Sequence, residues 1–173
     1  MTPYPPIEPW HVPEKVCELS RNAVQPAGHA GCESGVFWLG RRAAVSEVAV
    51  VVHPVGDGVE ETPFYWSVGP EVYAAITAWA KPRGLSLLAV VHTHLSPLPP
   101  RMSPTDRRQG LKTPDALAVI IPNGGVEPDP RRWGWFVYEN DDYRRVETAE
   151  LQARVAIVPG AADFVVIGDE EAA

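Results

Sequence analysis

Leu85-Ser86-Leu87-Leu88-Ala89-Val90-Val91-His92-Thr93-His94, followed by Ser103-Pro104-Thr105-Asp106, is the stretch whose reading decides the fold. The run over 85–91 is continuous and apolar, so it reads as a central strand that leads directly into His92. Side chains two apart on a strand share a face, so His92 and His94 point the same way where the strand meets its loop. Ser103 suits a helix N-cap and Pro104 the first helical position, which predicts a helix over 103–111 with Asp106 near its start.

These residue types suit a cation. Two imidazoles on one rigid segment form a bidentate clamp for a borderline-soft metal, and Asp106 can add a carboxylate oxygen. Zinc is usually four-coordinate, so three protein ligands leave a position for water, the pattern of catalytic rather than structural sites. A single anionic ligand leaves the ion net positive, able to lower the pKa of its water toward ~7 and to polarise a carbonyl. Without a metal, the same residues are a strand-end histidine pair and a capped helix.

Working outward, Val16, Leu19, Ala23 and Val24 recur at helical spacing and predict an amphipathic helix over 13–24, stopped by Pro26 and Gly28. Apolar runs over 36–40 and 45–52 read as adjacent strands turning at Arg41-Arg42. A Pro/Gly/acidic loop over 54–63 and a short strand over 64–68 follow. Gly69-Pro70-Glu71 opens a second helix with the stripe Val72, Tyr73, Ile76 and Trp79, ended by Pro82 and Gly84. A strand over 117–121, a turn at Asn123-Gly124-Gly125, a hairpin from 134–138 and 143–146, and strands over 156–158 and 164–167 complete the pattern. Helices among many strands predict an α+β fold, a mixed sheet sandwiched by helices. One domain is expected over 12–150, with a proline-rich extension at 1–11 and a further extension at 151–173.

With 15 Lys and Arg against 22 Asp and Glu, the net charge of −7 repels phosphate backbones, so no nucleic-acid partner is expected. No apolar run approaches the ~20 residues that cross a bilayer, and no basic-then-apolar leader opens the chain, which predicts a cytoplasmic protein with no membrane partner. Cys17 and Cys32 make no disulfide framework, and Cys32 reads as a small core thiol. His11, His29 and His53 are expected in solvated loops. Trp133 and Trp135 read as core, or as the lining of a groove. The H-x-E and P-C-x-x-C pattern of zinc deaminases is absent.

The string His92-Thr93-His94, eight residues, then Ser103-Pro104-Thr105-Asp106 resembles the signature of the JAMM/MPN (JAB) zinc metalloproteases. Glu33-Ser34-Gly35-Val36-Phe37-Trp38-Leu39-Gly40 resembles that family's Glu-bearing strand, and the order of elements over 12–146 agrees. The loop after His94 is one residue longer than the family's, and Leu95 stands where the family usually has proline. The resemblance implies a cytidine-deaminase-like JAB/MPN core and one Zn²⁺ per chain with a bound water, on His92, His94 and Asp106. It implies Glu33 as general base and Ser103 as oxyanion stabiliser, Ser103 being otherwise a plain N-cap. Glu47, Glu60 and Glu61 are rival bases outside the matching strand. The compact chain looks like the bacterial members. The implied activity is metallopeptidase or isopeptidase cleavage after the C-terminus of a ubiquitin-like protein, as precursor or conjugate, with cognate activating and conjugating enzymes as further partners. A sulfur-carrier substrate and a non-catalytic MPN scaffold are the alternatives.

Overall fold

A computed structural model describes residues 9–168. The elements are β1 (Trp10–Pro13), α1 (Glu14–His29), β2 (Gly35–Arg41), β3 (Ser46–Pro54), β4 (Val59–Glu61), β5 (Trp66–Val68), α2 (Pro70–Ala80), β6 (Ser86–Thr93), α3 (Pro104–Gln109), β7 (Leu117–Ile121), β8 (Gly134–Glu139), β9 (Asp142–Arg145), α4 (Thr148–Arg154), β10 (Val155–Val158) and β11 (Asp163–Ile167). Short 3₁₀ turns over Lys81–Arg83, Asn123–Gly125 and Pro130–Arg132 join them.

The sheet is mixed. Its order is β10-β1-β3-β2-β6-β7-β8-β9, with β11 added beside β3 and a separate β4–β5 hairpin. β6 is central, antiparallel to β2 and parallel to β7. Its apolar run is buried on both faces. Ala89 and Val91 join the core under α1 with Val16 and Val24, while Val90 joins the core under α2 with Val72 and Ile76. Each fully buried side chain of this size contributes about 1.5–3 kcal/mol relative to exposure. β2 repeats the division, with Val36 and Trp38 toward α1 and Phe37 and Leu39 toward α2.

Trp38 is fully buried, and its indole N–H donates to Ser20 Oγ at 2.8 Å, while Ser20 Oγ donates on to Val16 O at 2.7 Å. A polar pair thus ties α1 to the sheet through an otherwise dry layer.

Several expectations are corrected. The first helix does not stop at Val24 but continues to His29, with Pro26 inside it. Proline removes one helical N–H there, and tertiary contacts compensate. Gln25 Nε2 donates to Gly125 O at 3.1 Å, Arg21 Nη2 donates to Val126 O at 3.2 Å, and Gly28 lies against Gly124. Trp10, expected in an extension, is 2% exposed on a strand of the main sheet. The loop expected over 54–63 contains β4, paired antiparallel with β5. Residues 151–167 add β10 and β11 to the same sheet, parallel to β1 and β3. His11 and His53 sit on strands and His29 ends α1, rather than lying in loops. Trp133 and Trp135 are core residues as expected, each 2% exposed. The outer parts of the expected extensions, 1–8 and 169–173, lie outside the described residues. No helix among the described residues is long and apolar enough to cross a membrane.

Candidate metal centre

β6 aims His92, and the segment leading into β2 delivers Glu33. Gly35 pairs with His92 across the antiparallel β2–β6 ladder, so two residues ahead of β2 the chain comes alongside His94. Thr93 fastens the junction. Its N–H donates to Ser34 O at 2.9 Å, and its Oγ1 accepts from Ser34 N–H at 3.0 Å. Glu33 N–H donates to Thr62 O at 2.7 Å, which anchors the Glu33 backbone to the end of the β4–β5 hairpin. Ser34 Oγ donates to Glu61, so that glutamate is spent on positioning.

His94 lies just past β6 and is held by its backbone. Its N–H donates to Ile121 O at 3.0 Å, and its carbonyl accepts from Gly124 N–H at 2.9 Å. Asp106 is held by a capping box. Its N–H donates to Ser103 Oγ at 3.1 Å, and its Oδ2 accepts from Ser103 N–H at 2.6 Å. Ser103 is therefore an N-cap, and its hydroxyl still has a proton to donate.

The three side chains converge. His92 Nε2 lies 3.3 Å from His94 Nε2 and 3.2 Å from Asp106 Oδ1, and His94 Nε2 lies 3.3 Å from Asp106 Oδ2. A tetrahedral zinc with arms of about 2.0–2.1 Å requires ligand–ligand edges of about 3.3–3.4 Å. The two imidazole nitrogens stand at that spacing, and the Asp106 carboxylate turns one oxygen toward each of them, so the three residues offer a donor set of the right chemistry for such an ion. Glu33, His92 and His94 form a wider group, with ligand atoms within 4.8 Å of one another. His92 and His94 belong to both groups, and Glu33 and Asp106 are the carboxylates that flank them.

The electrostatics also suit a cation. His92, Glu33 and the Asp106 side chain are 5%, 8% and 8% exposed, so two carboxylates and two imidazoles share a site largely shielded from water. Burial pushes the Glu33 carboxyl above its ordinary range, against the pull of His94 and His92. Burial pushes Asp106 the same way, but hydrogen bonds from His92, His94 and Ser103 N–H outweigh it and hold the group well below the usual carboxylate range. Burial disfavours the His94 imidazolium, yet Asp106 and Glu33 outweigh that and raise its pKa.

Two hollows flank the triangle. One of about 310 Å³ adjoins His92 and Asp106 and is walled by Trp66, Tyr73 and Met102. The other, about 560 Å³, adjoins His94 and is bounded by Leu98, Pro99, Pro100 and Arg101. Neither wall was legible in the sequence. Trp66 and Tyr73 stand in segments whose periods report only helix or strand. Cys32, adjacent to Glu33, is half-buried, and Cys17 is buried among core residues.

No family model matches the chain, and no curated protein matches it in sequence. Among solved structures, the solution structure of protein DSY2949 from Desulfitobacterium hafniense is 17% identical over 94% of this chain and 95% of that one, with a TM-score of 0.58. The chain thus shares a fold with that protein along nearly its whole length. The crystal structure of AF2198, a JAB1/MPN domain protein from Archaeoglobus fulgidus, is 16% identical over 84% of this chain and 97% of that one. Its TM-score of 0.44 is a looser superposition that by itself fixes nothing about this chain.

Proposed function

We propose that the chain is a zinc-dependent amide hydrolase of the JAMM/MPN type, with His92, His94 and Asp106 as metal ligands. The carrying observation is the convergence of those three side chains, each pair within 3.2–3.3 Å, with Glu33 close to both histidines from its place two residues ahead of β2. Zinc bound there would supply a Lewis acid that acidifies water and polarises a carbonyl.

The protein's own groups divide the remaining work. Glu33 is the proton carrier. Its carboxylate accepts a proton from the attacking water and returns it to the departing amine nitrogen. Burial brings its pKa upward, closer to neutrality, where a group both takes and gives a proton readily. Ser103 Oγ donates its remaining proton to the developing oxyanion, while its N–H keeps the Asp106 carboxylate in one orientation. The Thr93–Ser34 bonds hold Glu33 at a fixed distance from the histidines, because β2 and β6 cannot slide without breaking them.

The substrate reading follows from the resemblance in motif: the C-terminal tail of a ubiquitin-like protein, as a precursor or a conjugate. An extended tail would add its main-chain hydrogen bonds along a strand and deliver a carbonyl to the site. The test is a zinc-loaded protein incubated with a ubiquitin-like fusion. Cleavage in the wild type and none in Glu33→Ala, with zinc content unchanged, is the expected result. Full cleavage by Glu33→Ala moves the base elsewhere.

A further inference from the structure

A hollow opens beside His92 and Asp106. It measures about 310 Å³ and lies between β5 and α2 on one side and α3 on the other. Trp66, Val68, Tyr73 and Met102 form apolar walls, and Val90 and Ala118 belong to the sheet beneath. The Tyr73 hydroxyl donates to Gln109 O at 3.3 Å and ties the α2 wall to the α3 wall. Ligand pockets begin at about 300 Å³. His92 and Asp106 line the same hollow, so whatever fills it lies against the reacting bond.

The Trp66 side of the hollow is rigid. The indole N–H groups of Trp38, Trp133 and Trp135 donate to Ser20 Oγ, Glu127 O and Pro130 O. The N–H of Trp66 is buried and has no hydrogen-bond partner among the described residues. Trp66 is nevertheless fixed in place: a Cβ on Gly35 would meet its ring at 2.6 Å, and the Phe37 ring lies 5.5 Å away. The Trp66 ring is thus a fixed apolar wall of the hollow. The cation among the lining residues, Arg108, is exposed and held to Thr105 Oγ1 at 3.0 Å, so no buried cation faces the hollow.

Resting on the hydrolase reading above, we propose that this hollow is a substrate subsite that accepts one large apolar side chain, of leucine, methionine or phenylalanine size, from the residue adjoining the scissile amide. A glycine at that position would leave the apolar walls uncovered. The preference would therefore favour tails that end in a bulky residue over tails that end in small ones.

Hydroxamates test this without any substrate. Zinc-loaded protein is titrated by calorimetry with acetohydroxamate, 4-methylpentanohydroxamate and 3-phenylpropanohydroxamate. Burial of each added carbon is worth about fourfold in affinity, so the four-carbon extension should gain on the order of a hundredfold. Val68→Trp should remove the gain, and Val68→Phe serves if the larger residue does not fold. Leu98→Ala, on the far side of the metal centre, should keep the gain. A series flat within about threefold overturns the subsite, as does a gain that survives both Val68 variants or disappears in Leu98→Ala. Failure to retain zinc or to bind acetohydroxamate at all overturns the hydrolase reading and the subsite with it. Metal content measured before the titration tells the two failures apart.

Discussion

Replacing Gly28 by alanine would place a Cβ 2.1 Å from Gly124 O, 2.8 Å from Gly124 C and 2.9 Å from its Cα. All three are backbone atoms, so no side-chain rotation relieves the clash. Carbon–oxygen contacts settle at about 3.3–3.6 Å, so α1 and the turn over Asn123–Gly125 must separate by about 1 Å. That turn holds His94, because Gly124 N–H donates to His94 O. Helix propensity alone predicts that Gly28→Ala stabilises α1 by about 1 kcal/mol. Overpacking costs about 1–3 kcal/mol, so the net effect should be a loss of up to about 2 kcal/mol. Urea unfolding of the metal-free protein reads this term. Displacing a ligand's support typically costs tenfold to a hundredfold in metal affinity, and competition with a zinc chelator reads that second term. A Gly28→Ala protein more stable than wild type, with unchanged zinc affinity, would refute the claim that α1 positions His94 through this turn.

Ser20→Ala removes the acceptor of the fully buried Trp38 indole N–H and should cost about 1–3 kcal/mol in a denaturant titration, whereas an exposed serine would cost next to nothing. Thr93→Val keeps the shape but loses the Oγ1 acceptor of Ser34 N–H, so a similar loss of stability should accompany reduced turnover from a loosened Glu33. Burial pushes the Cys17 thiol up to about 12, with Glu14 adding to the effect, so Cys17 should resist a thiol reagent at pH 8 until the protein is unfolded. Half-buried Cys32 should react first, giving one fast and one unfolding-limited thiol; two fast thiols would mean that α1 is not packed as described.

The legible parts of the fold are those set by local period. β6 and β7 emerge from uninterrupted apolar runs, and the shared face of His92 and His94 follows from strand geometry. The Ser103-Pro104 helix start was readable because capping chemistry is local. What resisted reading is non-local. The register that brings Glu33 alongside His94 is a property of the β2–β6 pairing, and only the motif resemblance pointed to it. The Asp106 approach to both imidazoles likewise depends on where a proline-rich loop returns the chain. α1 overran its expected end because contacts with Gly124 and Gly125 outweigh what Pro26 removes. β4 was hidden by its charge: two of its three residues are Glu60 and Glu61, and a hairpin so small makes almost no apolar period. Trp10 and Val12 bury while His11 between them does not, too short an alternation to be told from a tail.

Metal content across four proteins tests the central claim most directly. Wild type, His92→Ala, Asp106→Asn and Glu33→Gln are purified without chelators and weighed by native mass spectrometry alongside elemental analysis. The geometry predicts one zinc per chain in wild type and in Glu33→Gln, and loss of zinc in His92→Ala and Asp106→Asn. Retention of zinc in Asp106→Asn together with its loss in Glu33→Gln would make Glu33 the third ligand. A wild-type protein that binds no zinc would contradict the metal centre altogether.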